Sequence, residues 1–145
     1  GQRTIPLENF FILPTVANPY RENILEPNEI ITQIHLPKPI ANTTSFYIKL
    51  RERSSFDFAL VSIAGVFQMQ GKKCQDLSLI LGGVAPAPWR SNEAEQVLRG
   101  QVISDDLGER AGKAAVKNAD PMSDNAYKVT LTQNLVKRAA VMAVS

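Results

Sequence analysis

Apolar and polar residues alternate along the first half of the chain and recur at helical spacing along the second. Across residues 29–36, Ile30, Thr32, Ile34 and Leu36 share one side and Ile31, Gln33 and His35 the other, until Pro37 and Pro39 stop the run. A period of two predicts a strand. Residues 45–51 repeat it, with Phe46, Ile48 and Leu50 facing one way and Tyr47, Lys49 and Arg51 the other. A longer β-rich run, 58–70, places Ala59, Val61, Ile63, Phe67 and Met69 on a common face. Gly71-Lys72-Lys73 supplies a turn, and residues 76–84 return with Leu77, Leu79 and Leu81 on one side. These two runs are expected to pair as an antiparallel hairpin.

After Ala85-Pro86-Ala87-Pro88 the period becomes helical. Asn92 with Glu95 resembles a capping box, Ala94, Val97 and Leu98 form an apolar stripe, and Gly100 closes that helix. Ser104 or Asp105 caps a second, in which Leu107, Ala111, Ala114 and Ala115 share a face and Glu109 can pair with Lys113. Pro121 ends that region. Asp124 can cap a third, with Tyr127, Leu131, Leu135, Ala139 and Met142 along one side. Strands followed by helices predict an α+β fold: a small antiparallel sheet of three to four strands, then about three helices packed on one face.

Ahead of the first alternating run, residues 1–25 carry Ile5, Leu7, Phe10, Phe11, Ile12 and Leu13 among Pro6, Pro14 and Pro19, with no sustained period. This stretch reads as an extended tail. Its two neighbouring phenylalanines need a covering surface that a short irregular segment does not provide for itself.

Composition narrows the function classes. The 145 residues are 44% hydrophobic and 21% charged, with a formal net charge of +2 from interspersed signs. No single-sign field exists to gather nucleic acid or an anionic membrane. Cys74 is the only cysteine and His35 the only histidine, so a disulfide framework, zinc cluster or iron-sulfur ligand set is not expected. The opening Gly1-Gln2-Arg3 is polar, no secretory leader is expected, and no apolar run approaches a membrane span. A soluble chain is expected, in the cytoplasm, or in the periplasm if exported within a complex.

Candidate chemistry is sparse. Gly82-Gly83 follows a strand, the setting of a phosphate-cradling loop, but Pro86 and Pro88 intervene where a helix would start, so close backbone packing is the preferred reading. His35 has no second histidine or carboxylate in register and reads as solvated. Arg51, Glu52, Arg53 and Asp57 could gather an anion, yet opposite charges this close usually satisfy one another. Ser54 and Ser55 lack a nearby base. The polar faces of the first two strands remain. If the strands are neighbours, Ile31, Gln33 and His35 lie beside Tyr47, Lys49 and Arg51 in a mixed apolar, aromatic and cationic patch. That patch suits a protein partner or an anionic aromatic ligand, and an ordinary sheet face covered by the tail explains it equally well.

Phe46-Tyr47-Ile48-Lys49-Leu50-Arg51, Asp57-Phe58-Ala59, Leu81-Gly82-Gly83-Val84-Ala85-Pro86 and Pro88-Trp89-Arg90 together resemble the C-terminal domain of the flavin subunit of molybdenum hydroxylases. That family includes xanthine dehydrogenases, aldehyde oxidoreductases and carbon monoxide dehydrogenase. Arg3-Thr4-Ile5-Pro6-Leu7 with Phe10-Phe11, and Leu25-Glu26-Pro27-Asn28-Glu29-Ile30-Ile31, resemble the end of the family's preceding FAD-binding domain. The resemblance divides the chain into 1–38, a tail of that domain, and 39–145, the C-terminal domain proper. Ala87-Pro88-Trp89-Arg90 and the helix from Glu93 to Gly100 are most similar to the bacterial aldehyde-oxidising branch.

The resemblance implies FAD as cofactor of the intact subunit, receiving electrons from molybdenum through iron-sulfur clusters and handing them to an acceptor. The family's glycine-rich flavin loops lie upstream of the region matched, so the fragment is expected to be inactive and free of FAD. Two contacts carry over by position: the lysine of Phe-x-x-Lys onto Lys49, and an aliphatic residue of the Glu-Ile-Ile strand onto Ile31. The implied partners are the upstream FAD-binding domain and the iron-sulfur and molybdenum subunits or domains; without that upstream domain, Phe10 and Phe11 are expected either to stay disordered or to pack on another copy of the fragment, since exposed apolar patches find partners. No catalytic acid, base, nucleophile or metal ligand is expected, because the chemistry belongs to the cofactor. The rival reading is a non-enzymatic α+β module whose exposed sheet face docks a protein.

Overall fold

The computed structural model describes residues 1–144. Its elements run β1 (Thr43–Leu50), β2 (Val61–Gln70), β3 (Lys73–Gly82), β4 (Trp89–Arg90), α1 (Asn92–Leu98), α2 (Asp105–Ala115) and α3 (Tyr127–Met142), with one 3-10 turn at Leu7–Asn9 ahead of them. The strands make one antiparallel sheet in the order β1-β2-β3-β4. The expected α+β order holds.

The alternation along β1 to β3 decides which face the helices cover. Ile48, Ile63 and Leu81 stand in one cross-strand row, and Thr44, Phe67 and Leu77 in another. This apolar face joins Leu98, Ile103, Leu107, Ala111, Leu135, Val136 and Ala139 in a single core. Phe46 and Phe67 stack with ring centroids 5.6 Å apart. Gly65, opposite Phe46, makes room for them, since a Cβ there would come within 2.8 Å of the Phe46 ring. Gly71 opens the two-residue β2–β3 turn with φ of 56°, the left-handed conformation that favours glycine.

The helical layer follows the predicted punctuation in part. Ser104 caps α2 by accepting a hydrogen bond from Leu107 N–H at 3.2 Å, and Lys113 pairs with Glu109 at 2.8 Å. Gly100 follows α1 with φ of 76°, as a helix terminator should. The capping box does not form: α1 starts after Ser91, which makes no side-chain cap, and the Glu95 carboxylate turns into the sheet. Asp124 does not cap α3 either, because that helix starts after Ala126. A capping residue type does not by itself fix where the first helical turn closes.

Residues 29–36 depart further from expectation. They form no ladder, and Ile30, Ile31, Ile34 and Leu36 are exposed. Alternation allows a segment to lie on a pleated surface, but a strand exists only where a second one takes up its backbone groups. The fourth strand is instead β4, two residues long and hidden in a Pro-Trp-Arg sequence. β2 begins at Val61, leaving Phe58 exposed in the preceding loop.

The tail is also more ordered than an extended segment. Ile12 N–H donates to the Glu22 carbonyl at 3.0 Å and Ile24 N–H to that of Phe10 at 3.1 Å, folding the stretch back on itself. Arg21 donates to the carbonyls of Asn23 and Leu25 and to the Glu26 carboxylate. The Phe10 and Phe11 rings meet edge-on at 5.2 Å, so part of the cover these rings need comes from each other.

Cys74 is fully buried, and its Sγ donates to the Asp76 carbonyl at 3.5 Å. Burial, reinforced by the nearby Asp76 charge, pushes its thiol up to about 11. A thiol raised in the folded state contributes stability below its unfolded value near 9.0 and loses it as pH climbs through about 11. Native chain should therefore resist thiol alkylation at neutral pH and react once unfolded. Its urea midpoint should fall between these pH values, and Cys74→Ala should lack that component of the fall. A native thiol that alkylates as fast as the unfolded one would contradict the assignment.

Candidate functional site

The sheet face away from the helices carries the unexplained polarity. Its rows run Lys49–Ser62–Gly82, then Tyr47–Ala64–Ile80–Arg90, then Ser45–Val66–Ser78. Ser62, Ala64 and Gly82 make a low strip between taller neighbours. At Gly82 a Cβ would stand 2.5 Å from Ser62 Oγ, so even alanine would crowd this strip. Tyr47 is 63% exposed at its border. Lys49, beside it, is exposed and forms no ion pair among the described residues.

At the far border Arg90 is held from behind. Glu95, only 2% exposed, accepts from Arg90 Nε at 2.9 Å and Nη2 at 3.0 Å, from Arg99 Nη2 at 3.3 Å and from Leu79 N–H at 2.9 Å. Arg99 also grips Asp76 at 2.9 Å. That hydrogen bond and the Leu77 N–H hold the Asp76 carboxyl below the usual range. Sequence reading missed this network; a glutamate inside an apolar helical stripe, with arginines five before and four after, is the signal that could have disclosed it.

The structure does not assemble the whole predicted patch. Ile31 is 56% exposed, and among the described residues no ladder or hydrogen bond joins its segment to β1. His35 contacts Gln33 alone of the predicted group, side chain to side chain. Of the described charges in the 51–57 loop only Arg53 and Asp57 pair, at 4.0 Å, while Arg51 donates to the Ser55 carbonyl at 3.4 Å. Gly83, with φ of 74°, packs against the Ala59 and Leu60 carbonyls, so Gly82-Gly83 serves close packing rather than a phosphate loop. A cavity of about 270 Å³ lies on the helical side, lined by Trp89, Val84, Ala115, Pro121, Lys128 and Val129. Its ammonium is engaged with the Gly83 carbonyl at 3.0 Å, and nothing there is arranged as nucleophile and base. Among the described residues no cluster of histidine, cysteine and carboxylates is placed to hold a metal ion.

The outer face fits part of a flavin site. It has a flat strip of small side chains, an exposed aromatic ring and a free cation, which suit a planar ring system bearing or developing negative charge. It does not fit a whole one, because among the described residues no glycine-rich turn leads into a helix to hold a pyrophosphate.

Comparison with known proteins identifies the family. The chain is 34% identical over 143 residues to the aldehyde oxidoreductase FAD-binding subunit PaoB of Escherichia coli, covering 97% of this chain and 40% of that protein. It is 27% identical to the carbon monoxide dehydrogenase medium chain of Hydrogenophaga pseudoflava, covering 96% and 47%. A solved carbon monoxide dehydrogenase from that organism, lacking the Mo-pyranopterin moiety of its cofactor, superposes with a TM-score of 0.85 at 28% identity, over 100% of this chain and 50% of that one. The chain thus spans about half the length of the relatives it matches. The model of the CO dehydrogenase flavoprotein C-terminal domain matches residues 46–143, the sheet and all three helices, and the chain belongs to that family.

Proposed function

We propose that this chain is the C-terminal part of the FAD-binding subunit of a molybdenum hydroxylase-type oxidoreductase, and that its outer sheet face, centred on Lys49, forms one wall of the flavin site. The observation that carries the reading is the unpaired Lys49 beside Tyr47 at the edge of the Ser62–Ala64–Gly82 strip, on a chain whose relatives include an FAD-binding subunit. When bound, FAD supplies the electron transfer, and the protein's part is placement and electrostatics. The core side of β1 fixes the backbone through Phe46, Ile48 and Leu50, which directs Lys49 outward. Its ammonium can steady a phosphate oxygen or negative charge on a reduced ring. Ile31 would reach the same cofactor from the segment before β1, with upstream sequence ordering residues 29–36. Iron-sulfur and molybdenum subunits are the proposed electron donors to the assembled protein.

The chain alone should purify colourless, because Lys49 and Ile31 together cannot offset the entropy lost on association. In the longer subunit that includes the upstream FAD-binding part, Lys49→Met keeps most of the stem and removes the charge. Loss of a phosphate contact should weaken FAD binding by roughly 1–3 kcal/mol, whereas loss of a contact to the reduced ring should lower the flavin potential with oxidised FAD still bound. FAD titration and redox titration of one variant separate the two. Unchanged values in both would remove Lys49 from the site.

A further inference from the structure

The two edges of the sheet are treated differently. Along β3 the backbone groups pointing away from β2 find partners in residues 89–102, save the Leu77 N–H, which the neighbouring Asp76 carboxylate takes at 2.9 Å. Trp89 and Arg90 pair with Leu81 and Ile80, Ser91 N–H donates to the Leu79 carbonyl at 2.9 Å, and Glu95 takes the Leu79 N–H. Arg99 donates to the Leu77 carbonyl at 3.4 Å, Gln101 and Gly100 satisfy Cys74, and Val102 bridges to Lys73. An edge closed in this way cannot template another strand.

The β1 edge has no such cover. Met69 N–H donates to the Asn42 carbonyl at 2.9 Å, and in an antiparallel ladder this orientation repeats at every second residue. Thr44, Phe46, Ile48 and Leu50 therefore turn their amides toward β2, and Thr43, Ser45, Tyr47 and Lys49 turn theirs outward. Among the described residues none of these outward groups has a hydrogen-bond partner.

We propose that this edge pairs antiparallel with β1 of a second copy of the chain, Tyr47 opposite Tyr47, extending the sheet across a two-fold axis. The strand is complementary to itself in that register. Outward amides meet outward amides at Tyr47–Tyr47 and Ser45–Lys49, as the ladder requires. Phe46 faces Ile48 and Thr44 faces Leu50 on the helical side, so the half-buried apolar residues of both edges are covered. Each Lys49 faces a serine, and no like charges oppose. A shift by one residue would put core residues against outer ones. The proposal stands apart from the flavin reading, which is tested by FAD binding in the longer subunit.

Light scattering after size exclusion and amide hydrogen exchange test it on the chain as it is. With rising concentration the mass should move from the 16.0 kDa of one chain toward twice that value. Exchange at Ser45, Tyr47 and Lys49 should slow in step, while the Phe46 and Ile48 amides, already bonded to β2, stay protected throughout. Tyr47→Lys, on an exposed side chain, sets two ammonium groups opposite each other and should leave a folded monomer. A wild-type chain that stays monomeric at every soluble concentration overturns the proposal. So does a dimer that survives Tyr47→Lys with unchanged exchange at these amides, or one abolished by Phe10→Ser with Phe11→Ser while edge exchange never responds to concentration. Should Tyr47→Lys fail to fold, the concentration dependence of wild-type exchange decides alone.

Discussion

Gly112→Ala should destabilise the chain by about 2 kcal/mol, lowering the melting temperature by roughly 4–8 °C for a domain of this size. Alanine is the better helix former by about 1 kcal/mol, so the prediction runs against propensity. The reason is the approach of α3. A Cβ on Gly112 would stand 2.3 Å from the Gln133 carbonyl oxygen and 3.1 Å from its carbon. The obstacle is backbone of a packed helix, which cannot rotate away as a side-chain tip can. Relief requires α2 and α3 to separate, opening the contacts of Ala111, Leu135, Val136 and Ala139 with the rest of the core. Gly108, one turn earlier on the same face, is the internal control. Its Cβ would meet the Lys137 carbonyl oxygen at 3.3 Å and the Lys137 side chain at 3.4 Å, a distance a small shift can absorb. Gly108→Ala should therefore lie within about 1 kcal/mol of the parent, propensity gain and crowding nearly cancelling. Thermal melts of the two variants should separate clearly. Equal effects would mean that α2 and α3 are not this close.

These glycines show where sequence reading succeeds and where it stops. Period two and period 3.6 each depend on one element's own side chains, so the β2–β3 hairpin, α2 and the apolar side of α3 were legible from Val61, Ile63 and Phe67, from Leu107 and Ala111, and from Leu135 and Ala139. What depends on a neighbour was not. The role of Gly108 and Gly112 shows only once α3 is placed against them. Residues 29–36 alternate as cleanly as β1 yet form no ladder, because alternation does not specify a partner. Trp89–Arg90 is too short to show a period, and it became a strand because β3 offered an edge. The candidate site divides the same way. Lys49 faces outward because Phe46, Ile48 and Leu50 face the core, and this followed from β1 alone. Its supposed neighbour Ile31 depended on pairing between two segments, which β1 and residues 29–36 do not make. The strip of Ser62, Ala64 and Gly82 depends on the register that sets residues of two strands side by side, so no single run displays it.

Glu95→Ala should cost about 3 kcal/mol, a large share of the roughly 5–15 kcal/mol that holds a typical domain folded. Among the described residues its carboxylate is the only acceptor for the Leu79 N–H, which points outward from β3 just where β4 ends. It is also the common partner of Arg90 and Arg99. Alanine leaves a buried amide donor unpaired and a cavity where the side chain was. The arginines lose less, since both are partly exposed and can return to water. Glu95→Gln keeps an acceptor for Leu79 and nearly the same volume, so it should cost less than alanine. Arg90→Ala leaves the carboxylate with Arg99 and Leu79 and should cost about 1 kcal/mol. The order Glu95→Ala, then Glu95→Gln, then Arg90→Ala is therefore expected in urea titrations. The loss should also be local before it is global, because β4 is attached to the sheet by only two ladder residues. Trp89, the single tryptophan, sits on β4 against Leu81 and reports on that attachment. In Glu95→Ala its fluorescence should shift toward the exposed value at lower urea than the circular dichroism of the helices changes. Coincident transitions, or a loss below about 1 kcal/mol, would mean that the glutamate is not what fastens α1 and β4 to the sheet.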